Sequence, residues 1–248
     1  MAHTTLVDGV AYEIKGGRTL VNGVGYAVAK GRTLVNGVGY DVRFAPAAAL
    51  PTFDGSCNFY GTADKGWVEL LEDGTLTFPN TANLASCDVY LLENGEAGSI
   101  NFFGQSGGKG GDHVEAYRLD LRGLTIRVTI DGTTKFTTND GEGLDTDSAA
   151  NGGAGGTKTA PVGADGYAPF GGTMVGLGGM VSKRLGAGGG YPGHAGGQYG
   201  GGAGGNASHG DGEAGLANTG GGGGGAKIGT AGAGGTGIAI VRWGYETA

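Results

Sequence analysis

The sequence predicts an all-β protein, in which an antiparallel β-sandwich carries a long glycine-rich insertion and is closed by a C-terminal strand. Helix signals are almost absent, whereas two-residue alternation, β-branched residues and Asn-Gly or Asp-Gly turns recur along the chain. Residues 151–237 contain 37 glycines in 87 positions. An apolar stretch, residues 237–243, follows directly, as expected if the glycine-rich segment is inserted between two strands of one sheet.

Residues 1–44 contain three copies of a 14-residue unit. Each copy has the form Thr-Leu-Val-Asx-Gly-Val-x-Tyr, and the copies begin at Thr5, Thr19 and Thr33. The central Asp-Gly or Asn-Gly favours a tight hairpin turn, because both positions accept a positive φ. We expect three hairpins, arranged as a six-stranded meander or a small prism, that attach the chain to another protein. A self-sufficient small domain is the alternative, and residues 45–52 are the predicted linker.

Residues 53–150 are the predicted β-sandwich. Within residues 124–130, two-residue alternation directs four apolar side chains into the core: Leu124, Ile126, Val128 and Ile130. In residues 114–121 the same alternation predicts one shared face for Tyr117, Leu119 and Leu121. The other predicted strands cover residues 67–71, 75–78, 87–92, 99–103 and 133–137.

The glycine-rich region, residues 151–237, cannot be collagen, because its glycines come in runs and the whole chain has only six prolines. An extended threefold helix of the polyproline-II type has no internal hydrogen bonds, so its backbone groups need lateral partners. Without Cβ atoms, such helices can approach one another from every side. A polyglycine-II helix bundle is therefore the candidate structure, less regular at residues 173–185, which are apolar and basic. Residues 238–248 would supply the closing strand.

Formal net charge is −7, and no basic stripe is present, which argues against a nucleic-acid partner. No apolar run has the length of a transmembrane helix, and the first residues lack a signal-peptide pattern. We therefore expect synthesis in a cytoplasm and no membrane insertion. Cys57 and Cys87 lack a CxxC or clustered-histidine context, so we expect buried free thiols, with a disulfide as the alternative.

The order of these motifs resembles the glycine-rich tail-fibre and receptor-binding proteins, or adhesins, of tailed bacteriophages. A β-domain with Thr75-Leu-Thr-Phe-Pro79 and Leu124-Thr-Ile-Arg-Val-Thr-Ile130 precedes a glycine-rich stretch. The stretch closes with Gly232-Ala-Gly-Gly-Thr-Gly-Ile-Ala-Ile-Val-Arg-Trp243, the most specific element. The resemblance covers residues 67–243 and implies a place in the virion tail. It also implies a host cell-surface receptor (a glycan or a surface protein), other tail proteins bound through residues 1–44, and a homotrimer.

Under this resemblance we expect large side chains to lie on the faces or turns of the bundle, where aromatic rings commonly anchor binding surfaces. The alternative is that these side chains pack back onto the sandwich or against each other. The candidate receptor-binding residues are Tyr167, Phe170, Tyr191, His194, Tyr199 and His209.

Catalytic, metal and cofactor sites are not predicted. Gly-x-Gly-x-x-Gly occurs at residues 188–193, 200–205 and 232–237, as expected by chance in such a composition, and a dinucleotide site needs the motif to open a helix after a strand. Asp145 and Asp147 have the first spacing of a calcium loop, but the alanines at 149 and 150 break the pattern. No carboxylate pair for glycoside hydrolysis is singled out.

Two function classes remain, both non-enzymatic. The first is a tail-fibre or tail-tip protein that binds the host cell surface. The second is a structural virion protein, such as a fibre shaft or a tail or head decoration, in which the glycine region only spaces or protects.

Overall fold

A computed structural model divides the chain into two compact units, Met1–Ala48 and Ala49–Ala248. The residues that it describes are 3–7, 10–14, 18–21, 24–27, 30–35, 38–43, 48–100, 105–139, 141–147, 149–174, 176–205 and 210–245. Within them the protein is mostly β, with two five-stranded antiparallel sheets, and its helical structure is limited to three short 3-10 turns.

The first unit consists of three antiparallel hairpins, each a separate two-stranded sheet. The threonine that opens each sequence repeat lies opposite the tyrosine that closes it, so all three hairpins share one register. The paired strands are β1 (His3–Val7) with β2 (Val10–Ile14), β3 (Arg18–Val21) with β4 (Val24–Ala27), and β5 (Lys30–Val35) with β6 (Val38–Arg43).

The second unit contains both large sheets. The first sheet has the order β15-β14-β13-β10-β7, and the second has the order β12-β11-β16-β9-β8. The strands are β7 (Thr52–Phe53), β8 (Cys57–Gly61), β9 (Gly66–Leu70), β10 (Gly74–Thr77), β11 (Cys87–Leu92), β12 (His113–Leu119), β13 (Thr125–Asp131), β14 (Thr133–Thr138), β15 (Gly143–Asp145) and β16 (Ile238–Trp243).

The main hydrophobic core is shared by the two sheets. Leu76, Val128 and Phe136 from the first sheet join Val89 and Val241 from the second in one buried cluster. The predicted inward face of β13 is confirmed, since Ile126, Val128 and Ile130 are buried in this cluster and Leu124 packs against it.

A second core covers the other face of the second sheet. It forms where residues 168–174 and 176–184, which have a lower share of glycine than the rest of the insertion, lie across β11, β16 and β9 and bury Phe170, Met174 and Val181. Charged side chains of the sheet hold this loop by its backbone. Buried Glu69 accepts the N–H groups of Met180 and Val181 through Oε1. The loop therefore belongs to the β-domain rather than to the glycine-rich structure.

Two sequence predictions fail near the edge strand β12. Tyr117 does not share the inward face with Leu119, because Asp88 lies opposite two residues in a β-bulge and Arg118 adopts a φ of 59°. Tyr117 instead packs edge-on against Phe170 on the outer face. The predicted strand at 99–103 is also absent in its described part, where Ser99 pairs with Ser106 in glycine-rich structure. Thr52, assigned to the linker, already belongs to β7.

Ten extended segments make up the glycine-rich structure, and they hydrogen-bond to one another rather than internally. Successive bonds between two neighbours recur every third residue. Glu93, Glu96 and Ser99, for example, donate to the carbonyls of Asp112, Lys109 and Ser106. In chain order we number the segments 1 to 10: residues 93–100, 105–112, 151–157, 160–167, 185–192, 194–199, 200–205, 210–216, 219–226 and 229–237. The structure is thus wider than the predicted 151–237, since segments 1 and 2 precede it.

The bonds between the segments define a closed array with two central members. Segments 5 and 9 each bond to six neighbours, one of which is the other central segment, while the other eight form a ring around them. Segments 2 and 7 touch both centres and have four neighbours, and the remaining six segments have three. This is the pattern of a hexagonal lattice built around two adjacent points.

Glycine spacing follows position in this array. Segment 9, with six neighbours, has glycine at every position from 220 to 225, and all of these are buried. Segment 2, with four neighbours, reads Ser106-Gly-Gly-Lys109-Gly-Gly-Asp112, so two residues in three are glycine. Segment 10, with three neighbours, reads Gly229-Thr-Ala-Gly232-Ala-Gly-Gly235-Thr-Gly237, so five of its nine residues are glycine. Each neighbour removes room for a side chain.

The interior glycines are required for space rather than for a left-handed backbone. A Cβ on Gly222 would lie against the carbonyl oxygen of Gly108, and one on Gly223 against that of Gly232, both closer than real Cβ contacts. The glycines with positive φ in this region, such as Gly186, Gly200 and Gly229, occur at the segment ends, where the chain turns.

Candidate functional site

The ten segments run alternately away from the sheets and back. Segment 1 leaves β11 after Leu92, segment 2 returns to β12 at His113, and segment 10 returns to β16 at Ile238. Five connections therefore join the segments at the end remote from the sheets, which we call the distal end; residues 101–104 and 206–209 of these connections lie outside the described residues. Its described residues are Ile100, Gln105, residues 157–162, residues 191–194 and residues 226–229.

The distal end carries exposed large side chains that the sequence argument missed. Ile100, Val162 and Ile228 are 54%, 57% and 47% exposed. Lys158 and Lys227 are exposed in two of the turns. The sequence contains a signal for these residues, because each interrupts or flanks a glycine run. The receptor-binding residues were instead predicted from aromatic side chains and nearby prolines, so aliphatic and basic side chains were not considered.

Two of the predicted receptor-binding residues lie at the distal end. Tyr191 is half-buried, and its hydroxyl donates to Oε1 of Gln105 at 2.9 Å. The His194 ring is exposed and lies 6.2 Å from the Tyr191 ring between centroids. The backbone N–H of His194 donates to the Tyr191 carbonyl at 2.9 Å, which closes the turn between segments 5 and 6. The two side chains are therefore presented together.

The other predicted residues are not brought to this place. Tyr167 and Tyr199 are exposed but lie at the sheet end of segments 4 and 6. Phe170 is only 2% exposed and packs in the second core, with the Arg242 guanidinium 4.1 Å from its ring centroid. Because its ring fills the space between the loop and the sheet, Phe170 has no surface to offer a receptor, which corrects that assignment. His209 lies outside the described residues.

The glycine motifs resembling nucleotide sites lie in the array, not at the start of a helix. Gly188, Gly202 and Gly232 donate their N–H groups to carbonyls of neighbouring segments, so these donors are engaged by the protein itself. Of the two aspartates with calcium-loop spacing, Asp147 accepts from the Thr133 hydroxyl and from Lys135. Among residues that the structure describes, no group of three or more His, Cys, Asp or Glu side chains could hold a metal ion.

Three ionisable groups of the β-domain, Glu69, Cys87 and His113, have pKa values that are shifted mainly by burial. Burial raises the pKa of Glu69, although the Met180 and Val181 amides oppose this, and burial lowers the pKa of His113. Burial also raises the pKa of the Cys87 thiol to about 12. Cys87 is buried, Cys57 is half-buried, and both are free thiols. These groups are packed structural elements, and none is at the distal end.

Comparisons with known proteins add no relative: no family model, no curated protein and no solved structure matches the chain. Over the described residues, the structure also contains no helix with the length and apolar character needed to cross a membrane.

Proposed function

We propose that this chain is a tail-fibre or tail-tip protein of a tailed bacteriophage, which binds the host cell surface without enzymatic action. In this proposal the two sheets form a β-sandwich that carries a bundle of polyglycine-II helices. Hydrogen bonds that recur every third residue, with none inside a segment, are what threefold extended helices produce when packed side by side.

The observation that supports a binding function is that the sides of the array and its distal end carry different kinds of residue. Most positions that meet a neighbouring segment are glycine, and backbone bonds hold the array together. The distal turns present exposed aliphatic, basic and histidine side chains. A rigid scaffold that displays variable loops is a common arrangement for recognition.

The partners proposed for the two ends differ. The distal end would contact a receptor that is a glycan or a surface protein. Residues 1–44 would attach the chain to other tail proteins, within a homotrimer located in the virion. Three hairpins of one shared register suit docking, because a lone two-stranded hairpin is marginal in water.

The second candidate is a structural virion protein whose glycine array serves only as a spacer. The dense backbone bonding of the array favours this role as much as it favours binding. The two candidates differ in whether the isolated protein recognises cells.

Saturable binding of labelled, purified full-length protein to a panel of bacterial strains separates them. On a strain that binds, the combined variant Lys158→Ala, Val162→Ala, His194→Ala and Ile228→Ala should lose adsorption, because it removes four distal side chains. Its melting temperature should stay within a few degrees of the parent, since exposed sites contribute little to stability.

The matched control is Leu177→Ala with Leu216→Ala, two side chains that are equally exposed but lie away from the distal end. This control should adsorb like the parent chain. Unchanged adsorption by the distal variant, or association with phage particles but with no cell, would instead favour the structural role.

A further inference from the structure

A row of side chains on the edge strand β12 is not used by the proposed distal binding. His113, Glu115 and Tyr117 alternate along β12 and so project from one face of the sheet. The loop formed by residues 168–184 covers the neighbouring strands but ends beside this row, where Phe170 touches Tyr117 edge-on. The row therefore lies at the border between the covered and the open part of the sheet.

Two tyrosine rings stand exposed at the ends of this row. Tyr117 is 42% exposed, and Tyr167 is 45% exposed. Tyr167 stacks on the His113 ring with 4.2 Å between centroids, and His113 stacks in turn on buried Tyr90 at 5.3 Å. Positions 113 and 117 are four residues apart, or about 13 Å along an extended strand. Tyr167 is thus held by the His113 ring and Tyr117 by the Phe170 ring, at opposite ends of the row.

Glu115 lies between the two tyrosines with hydrogen-bonding capacity left. Its Oε1 accepts the Phe170 N–H at 2.5 Å, and its Oε2 accepts the Tyr117 hydroxyl. A carboxylate has about four acceptor sites, so two remain for another donor. Tyr90 lies directly opposite Glu115 on β11, and among the described residues its buried hydroxyl has no hydrogen-bond partner. Polar groups with unused hydrogen-bonding capacity therefore lie next to aromatic rings at this row.

We propose that this row is a second binding site, and that its ligand is a neutral oligosaccharide. A pyranose ring offers an apolar C–H face to an aromatic ring and hydroxyl donors to a carboxylate, which matches Tyr167, Glu115 and Tyr117 in order. Fixed aromatic rings supply contact area at low entropic cost. The negative charge of Glu115 disfavours acidic sugars, and the separation of the rings suits an oligosaccharide rather than a single sugar.

This proposed site is separate from the distal end, and its test does not depend on adsorption of the protein to cells. Full-length protein is applied to an array of defined neutral and acidic oligosaccharides, and the affinity for each bound neutral sugar is measured by titration. Tyr167→Leu and Tyr117→Leu should each weaken binding about tenfold or more, while Tyr167→Phe, which keeps the ring, should bind like the parent. Phe59→Leu is the matched control, because Phe59 is a similarly exposed aromatic residue on the opposite edge strand, β8.

The outcomes separate this site from the proposed function. Binding of neutral sugars that is lost in the two leucine variants but kept in Tyr167→Phe and Phe59→Leu supports the site, even if no strain is adsorbed. No neutral sugar bound by the parent chain, equal binding by all variants, or recognition only of proteins would overturn it. Melting curves show whether a leucine variant fails to fold. In that case Glu115→Gln decides the question: it keeps an acceptor for the Phe170 N–H, and the proposed site predicts that it binds the sugar more weakly.

Discussion

Gly95 donates its N–H to the carbonyl of Gly235 at 2.9 Å, in the same register in which Leu92 lies opposite Ile238 in the sheet. The next bond, from Gly98 to Gly232, keeps that register. On the other side of segment 1, the pairing of Leu92 with His113 continues into the bond from Glu93 to Asp112. The glycine array is therefore a direct continuation of strands β12, β11 and β16.

This continuity explains how the array is oriented. A strand bonds to two neighbours in one plane, whereas a segment of the array bonds to three or more neighbours around it. At residue 93 the chain changes from a β-strand to a segment of the array. The hydrogen bonds to the two strand neighbours continue, and hydrogen bonds to a further segment are added. The distal end is thus fixed relative to the sheets by backbone hydrogen bonds, without a separate hydrophobic interface.

The first prediction tests the central segment. Gly222→Val should lower the free energy of unfolding by about 1–3 kcal/mol, because its Cβ would overlap the Gly108 carbonyl and overpacked sites cannot relax freely. Ala154→Val is the matched control, since Ala154 is exposed on segment 3, and should change stability by at most about 0.5 kcal/mol. Denaturant titration of both variants measures the difference, and equal stability would contradict the packed array.

The second prediction concerns the C-terminal strand. β16 lies in the middle of its sheet, between β11 and β9, and all six of its residues are buried. A chain ending at residue 237 should therefore fail to form the second sheet and both cores, and should be insoluble or lack cooperative unfolding. A chain that lacks only residues 246–248 is the control and should melt like the parent. A cooperative, soluble truncated chain would show that the glycine array folds without this strand.

The sequence predicted the strands better than it predicted the glycine structure. Alternation located β13, whose buried face alternates, and an apolar run located the start of β16, although the strand ends at Trp243 rather than extending to 248. It failed at Tyr117, since one extra residue in a bulge reverses every later side chain and leaves no mark in the pattern. The bulge depends on Asp88, whose Oδ1 accepts the Arg118 N–H from a neighbouring strand.

The extent of the array was missed for a different reason. Segment 2 has charged residues at Lys109 and Asp112, so it lacks the appearance of a glycine run. Its paired glycines, which repeat every three residues, nevertheless match a position with four neighbours. Which turns meet at the distal end could not be read from the sequence, because that depends on how ten segments are arranged in space.

The third prediction concerns assembly. Unit Met1–Ala48 is compact by itself, so a chain lacking residues 1–44 should keep the melting temperature of the β-domain. It should no longer be incorporated into phage particles, because the proposed attachment hairpins are gone. The comparison is made by complementing a phage that lacks the gene with the full or shortened chain and probing purified particles. Normal incorporation of the shortened chain would contradict the attachment role.

The fourth prediction is a pH dependence at His113. Burial lowers the pKa of this histidine below its ordinary value of 6.5, while the charges of Glu115 and Asp112 oppose the shift. As the pH falls below 6.5, the unfolded chain binds a proton at His113 before the folded chain does. The stability contribution is therefore present near neutral pH and is lost as the pH falls through this window.

His113→Phe keeps a ring between Tyr90 and Tyr167 but cannot titrate. Between about pH 7.5 and about pH 5, the parent should lose more unfolding free energy than this variant, as measured by denaturant titration. Equal losses would mean that the imidazole is protonated in the folded stack as easily as in the unfolded chain.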